Sequence, residues 1–142
     1  MAKNVLVISA SMRANSNSDM LAAAFADGAV EITEKMKNAD VIAFATPIYH
    51  YEMSGQLKTL LDRANSLFPS DYAFREAYFL SCATEDEPDT DERAVHGFEG
   101  WVECYERCRF AGKVFAGGVS EPGDIAGHPA LEKARALGAA IG

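Results

Sequence analysis

Val5-Leu6-Val7-Ile8 is an unbroken apolar run close to the start of the chain. Val41–Ala45 and Ala77–Ala83 share its character, and Lys113–Val119 is rich in Val, Phe and Gly. None alternates apolar with polar positions, so each predicts a strand buried on both faces. Between the strands the period changes. Met20–Phe25 reads as helix and Glu31–Asn38 as a short amphipathic helix. Gly55–Ala64 sets Leu57, Leu60 and Leu61 on one side of a helix. Glu92–Phe110 predicts a long helix and Pro129–Ile141 a closing one. Strands alternating with helices in this way predict an α/β protein, a parallel sheet covered on both faces. Residues 9–18, 46–54 and 83–90 each follow a strand. They should emerge on one rim, where such sheets bind ligands beyond the carboxyl ends of their strands.

A chain of 142 residues with 49% hydrophobic content fits one domain, 1–142, around one core. No apolar stretch approaches the roughly 18 residues of a membrane span. The N-terminus enters a strand without a charged-then-apolar leader, so a cytoplasmic protein is expected. Acidic side chains number 21 against 13 basic, a net charge of −8. That balance disfavours nucleic acid, which needs a basic footprint, and leaves a small anionic ligand open. Glu85–Glu92 is the densest acidic stretch. It is expected as a solvated loop leading into a helix, with carboxylates on the first turn. No internal repeat or linker is visible.

Cys82, Cys104 and Cys108 make an odd, small set, which argues against a disulfide framework. Cys104 and Cys108, four apart on the predicted long helix, would face the same way. A metal site usually needs about four ligands, and no matching pair is present. All three are expected in the core, and no metal ligand is assigned. His96 and His128 read as solvent or helix-start residues, and Trp101 as core or subunit contact.

The first rim segment is Ser9-Ala10-Ser11-Met12-Arg13-Ala14-Asn15-Ser16-Asn17-Ser18. It joins a strand to a helix, and the unpartnered N–H groups at a helix start, with the helix dipole, favour phosphate. Ser11, Ser16 and Ser18 offer hydroxyls, and Arg13 a planar fork suited to phosphate oxygens. The same residues would also serve as ordinary helix caps. The second rim segment, Pro47-Ile48-Tyr49-His50-Tyr51, suits a flat aromatic ligand, with a rigid Pro and aromatic faces with polar tips. Tyr49 or Tyr51 alone would read as core or interface.

Taken with Ser54–Arg63, these segments resemble the flavodoxin-like NAD(P)H-dependent FMN reductase family, which includes iron–sulfur flavoproteins. The matching pieces are SASMRANSNS, ATPIYHYEMSGQLKTLLDR and GDIAGHPALEKARALG. The resemblance implies a flavodoxin-like, three-layered, doubly wound sheet of order 2-1-3-4-5. It implies that Ser11, Arg13, Ser16, Asn17 and Ser18 hold the FMN phosphate. Ala10 and Met12 stand where the family usually has Gly and Pro, and neither change removes a donor. Pro47, Ile48, Tyr49 and His50 would line the isoalloxazine ring, with Ala83, Thr84, Glu85 and Asp86 on its other side. Asp62 and Arg63 read as structural. His50 could also supply a proton or hydrogen bond to the ring, but no catalytic acid or base is assigned.

The implied activity is an FMN-dependent oxidoreductase, with NADPH or NADH as donor and a quinone, a flavin or another small molecule or redox protein as acceptor. A flavodoxin-like electron carrier without a nicotinamide site is the alternative. The family also implies a homodimer, with the Tyr51-Glu52-Met53 tip as a contact. One interruption stands out. Relatives continue after Ala29 through a second strand and a cysteine-bearing loop, where this chain proceeds directly to Val30. In the 2-1-3-4-5 order, the helices on either side of that junction lie on opposite faces of the sheet, about 20 Å apart. One peptide link spans only about 3.8 Å. The expectation is therefore that a segment bearing strand 2 is missing from the sequence between Ala29 and Val30. A genuine deletion with rearranged topology is the other reading. The remaining strands should lie in the order 1-3-4-5.

Overall fold

A computed structural model describes residues 3–9 and 32–142. The elements in chain order are β1 (Val5–Ser9), a helix α1 over residues 32–38, β2 (Val41–Tyr49), β3 (Glu52–Met53) and α2 (Gly55–Arg63). A 3-10 turn follows at Ala64–Leu67, then β4 (Glu76–Cys82), α3 (Glu92–Glu103), β5 (Arg109–Ala116) and α4 (Pro129–Ala139). The sheet runs β1-β2-β4-β5 and these pairings are parallel, with β3 hooked antiparallel onto the end of β2. This is the expected 1-3-4-5 arrangement of the flavodoxin-like sheet. Ala29, Val30 and the helix expected at Met20–Phe25 lie outside the described residues. Among the described residues no strand pairs with the outer edge of β1, where Val5 is 45% exposed.

The apolar runs are buried because both faces of the sheet are covered. On one face Ile42, Phe44, Ala77 and Phe79 meet Met36 of α1, Leu57 and Leu61 of α2, and Val95, Phe98 and Val102 of α3. On the other, Val41, Ala43, Tyr78, Val114 and Ala116 meet Ala130, Ala134 and Leu137 of α4. The helices and sheet thus form three layers. The larger face is strongly aromatic: Phe44 lies edge-on to Phe98 at 5.4 Å and to Trp101 at 5.6 Å. Trp101 is therefore half-buried core.

Three boundaries differ from the sequence reading. β2 continues through Thr46–Tyr49, which the sequence read as loop, because Thr46 and Pro47 stay in register with Ser81 and Cys82 of β4. The long helix ends at Glu103 rather than Phe110, and Arg109–Phe110 open β5. Tyr105 decides this end. The chain turns there to bury its ring against Tyr72, Phe74 and Trp101, and the Cys108 N–H donates to its carbonyl at 2.8 Å. Cys104 and Cys108 consequently do not share a helix face. Cys104 is exposed, not core, while Cys82 and Cys108 are partly buried. β5 also ends at Ala116, so residues 117–119 belong to the rim.

Candidate functional site

The rim is built from the residues that leave β2, β4 and β5. At the end of β2 the chain makes a tight hairpin, pairing Ile48 with Met53 and Tyr49 with Glu52. His50 and Tyr51 form its turn with φ of 51° and 65°. Positive φ at both central residues is the mark of a type I′ turn, which usually employs Asn and Gly. The base of the hairpin is fixed by buried Thr46, whose hydroxyl donates to the Pro47 carbonyl at 2.9 Å and accepts from the Ser54 N–H at 3.0 Å. Ser54 in turn caps α2, accepting from the Leu57 N–H.

Beyond β4, residues 83–90 are tied to the sheet and to the segment after β5. The Ala83 N–H donates to Ala116 and the Val119 N–H to Ala83, both at 3.0 Å. Ser120 donates its hydroxyl to Thr84 at 3.1 Å. Gly117 accepts no side chain here, since a Cβ would stand 2.7 Å from the Asp86 Cα and 2.2 Å from its Oδ1. The segment after β5 is itself folded back. Asp124 accepts from the Ser120 and Glu121 N–H groups at 3.0 and 2.8 Å, which lowers its carboxyl pKa. His128 starts α4: its Nδ1 accepts from the Ala130 N–H, which leaves Nε2 to donate to the Gly117 carbonyl at 3.0 Å.

Between these three segments lies a cavity of about 640 Å³. Pro47, Ile48, Tyr49, His50 and Tyr51 line it from the hairpin, Ala83, Thr84 and Glu85 from the second segment, and Val119–Gly123 with Ile125 from the third. Tyr51 crosses from the hairpin to the second segment, donating its hydroxyl to Glu85 at 3.3 Å, with the Arg93 guanidinium 5.5 Å from its ring centre. The Glu85 hydrogen bond raises the Tyr51 pKa. Behind the second segment, Asp91 is wholly buried. Its carboxylate accepts from Lys113 at 2.8 Å and from the Ser81 hydroxyl at 3.4 Å.

Of the residues singled out from sequence, Pro47, Ile48, Tyr49, His50, Ala83, Thr84 and Glu85 therefore surround one space. Asp86 does not line it; its side chain is taken up against Gly117. Ser11, Arg13, Ser16, Asn17 and Ser18 lie outside the described residues. Sequence reasoning missed Cys82, Thr90 and the whole third wall. The third wall did carry a signal: Ser120-Glu121-Pro122-Gly123 is a turn cluster directly after a strand on the same rim. The acidic stretch is solvated as expected except at Thr90 and Asp91, which are buried. Asp62 plays a local role, accepting from Lys58 one helical turn away at 2.5 Å.

A parallel three-layered sheet with its cavity beyond the strand ends defines the flavodoxin-like class. Within it, residues 27–86 match the model of the NADPH-dependent FMN reductase family, so the resemblance seen in the motifs holds over that stretch. A 48-residue stretch is 40% identical to an iron–sulfur flavoprotein of Archaeoglobus fulgidus. The match takes in 34% of this chain and 25% of that protein, so the chain spans about a quarter of the curated relative. The Trp repressor binding protein of Bacillus subtilis is similar in fold over 94% of this chain and 96% of its own, with a TM-score of 0.71 and 26% identity. An NAD(P)H:quinone oxidoreductase of Methanothermobacter marburgensis shares the fold at a TM-score of 0.62 and 18% identity, over 97% of this chain and 95% of its own. Among the described residues no helix is long and apolar enough to cross a membrane.

Proposed function

We propose that the chain is an FMN-dependent oxidoreductase that takes hydride from NADH or NADPH and passes electrons to a quinone, a flavin or another small acceptor. The observation that carries this reading is the cavity beyond β2, β4 and β5. Its volume of about 640 Å³ suits a cofactor-sized ligand. Its lining is largely apolar and aromatic, with a few hydroxyls and carboxylates. That donor set fits a tricyclic ring with a polar edge better than it fits a sugar or a bare phosphate. The family match over residues 27–86 and the fold neighbours support the same reading.

When bound, FMN supplies the hydride and electron chemistry. The protein's share is placement. Pro47, Ile48, Tyr49 and His50 would hold one side of the ring, and Ala83, Thr84 and Glu85 the other. The phosphate falls to Ser11, Arg13, Ser16, Asn17 and Ser18. A homodimer in the cytoplasm, with the hairpin tip near the subunit contact, belongs to the same proposal.

The test is direct. Purified protein titrated with FMN should bind it with quenching of flavin fluorescence. Oxygen-free addition of NADH or NADPH should then bleach the yellow colour. Protein that takes up no FMN would overturn the reading. FMN uptake without bleaching at millimolar donor would favour the electron carrier, whose acidic surface, with a net charge of −8, suits basic partners.

A further inference from the structure

Gly117 and Gly118 leave β5 side by side and open the third wall of the cavity. Gly117 stays bare because Asp86 packs directly against it, and Gly118 holds a positive φ of 74°. Two adjoining residues without side chains have no packing of their own to fix them, and glycine is the most permissive residue in its backbone. The second and third walls nevertheless meet here. Asp86 rests on Gly117, and the Val119 N–H donates to the Ala83 carbonyl at 3.0 Å. A side chain from outside the cavity lining holds the pair from behind: His128 Nε2 donates to the Gly117 carbonyl at 3.0 Å. The same ring accepts from the Ala130 N–H through Nδ1 at 3.0 Å and so caps α4. α4 is anchored on the sheet through Ala130, Ala134 and Leu137. One imidazole thus joins a fixed helix to the glycine pair. A cap needs only the Nδ1 contact, which Asn, Asp or Ser would make as well. The second contact is what a histidine adds.

We propose that His128 is a positioning residue for ligand binding: its Nε2 bond to Gly117 holds the second and third walls at the spacing that the occupant of the cavity requires. Resting on the proposed function, the occupant is the flavin ring, which meets Ala83, Thr84 and Glu85 of the second wall. The phosphate takes no part, so FMN and riboflavin depend on His128 alike. The cap and the wall contact are separate duties of the two ring nitrogens, and two substitutions divide them. In His128→Asn the side-chain oxygen takes the place of Nδ1 and keeps the cap, while Gly117 is out of reach. In His128→Gln the longer amide carries a donor to the place of Nε2. Its cap is lost, since glutamine is not among the preferred cap residues.

The experiment compares both variants with the parent as full chains. In His128→Asn the dissociation constants of FMN and riboflavin should both rise about threefold to tenfold. His128→Gln should bind both flavins within about twofold of the parent, yet melt about 3 °C below His128→Asn for want of the cap. The two variants therefore rank in opposite orders for melting and for affinity. Without flavin, the Val119 amide should exchange its hydrogen about threefold or more faster in His128→Asn than in the parent. A merely structural histidine would rank the variants alike, the lower-melting one binding flavin more weakly. That ranking, parent-like flavin affinity in His128→Asn, or parent-like exchange at Val119 overturns the proposal while the parent still binds FMN. A parent protein that binds neither flavin fails the functional reading itself, and this proposal falls with it.

Discussion

Lys113 on β5 holds its ammonium 2.8 Å from the carboxylate of Asp91, a side chain with no exposure to solvent. The pair ties the strand at the sheet's edge to the start of α3, directly behind the segment that lines the cavity. Lys113 itself remains 39% exposed, but removing it leaves the buried Asp91 carboxylate without a compensating charge, which is costly. Lys113→Met should therefore cost about 3 kcal/mol in urea denaturation. The double variant Lys113→Met/Asp91→Asn should recover most of that loss. If Lys113→Met costs less than about 1 kcal/mol, water reaches Asp91 and the pair is not a fastening.

The hairpin turn stores strain of a different kind. His50 and Tyr51 both adopt positive φ, a region that costs a non-glycine residue about 1–2 kcal/mol. Asn-Gly is the favoured pair for such a turn. His50→Asn/Tyr51→Gly should stabilise the protein by about 1 kcal/mol, after losing the exposed Tyr51–Glu85 hydrogen bond. If the aromatic turn serves the ligand, flavin affinity should fall in the same variant. A variant that gains stability and keeps full affinity would show that the turn residues do not touch the ligand.

Much of the layout was legible because the strand runs are apolar without alternation, as a doubly covered sheet requires. Val41–Ala45 and Ala77–Ala83 announce themselves this way, whereas their order in the sheet is what the family resemblance implies. Less legible were features decided by tertiary contact. Cys104–Phe110 continues a plausible helical pattern, and only the burial of Tyr105 among Tyr72, Phe74 and Trp101 shows why the helix stops. Thr46–Tyr49 looked like loop because Pro47 is a poor strand residue, yet β4 holds it in register. In the acidic stretch, Asp91 is buried where it meets Lys113 and Ser81, which come from β5 and β4. The third wall after β5 was hidden by assigning its first residues to a strand.

At the opposite end of β4, Glu76 accepts from Arg109 at 2.7 Å and from the Tyr78 hydroxyl at 3.0 Å. The Arg109 hydrogen bond, with a smaller share from Tyr78, lowers the Glu76 pKa below its ordinary 4.5, against a burial effect of opposite sign. A carboxyl lowered on folding contributes stability above its unfolded value, and that contribution is lost as pH falls through the folded value. Glu76→Gln should thus cost about 1 kcal/mol at pH 7 and almost nothing near pH 2. Urea midpoints for the two proteins should converge on acidification. A difference that is constant with pH would assign the cost to packing.

The three thiols should separate by reactivity. Cys104 is exposed, while burial raises the pKa of Cys82 and pushes Cys108 up to about 11. The thiolate is the nucleophile, so at pH 8 one thiol should react rapidly with a disulfide reagent and two slowly. Cys82 also lines the cavity. Saturating FMN should slow its labelling about tenfold or more and leave Cys108 unchanged, read by peptide mass. Equal labelling of Cys82 with and without flavin would place the ligand away from the end of β4.

Arg13 tests the phosphate end of the proposal, which lies outside the described residues. An Arg–phosphate contact is charge-assisted and often bidentate, and hydrogen bonds to charged groups contribute roughly 1.5–3 kcal/mol. At about 1.4 kcal/mol per tenfold, Arg13→Ala should weaken FMN by about tenfold to a hundredfold. Riboflavin lacks the phosphate and should bind both proteins alike. Calorimetric titration of the two ligands into the parent and Arg13→Ala proteins therefore tests the phosphate end separately from the ring end. Equal losses of FMN and riboflavin in Arg13→Ala would remove Arg13 from the phosphate site.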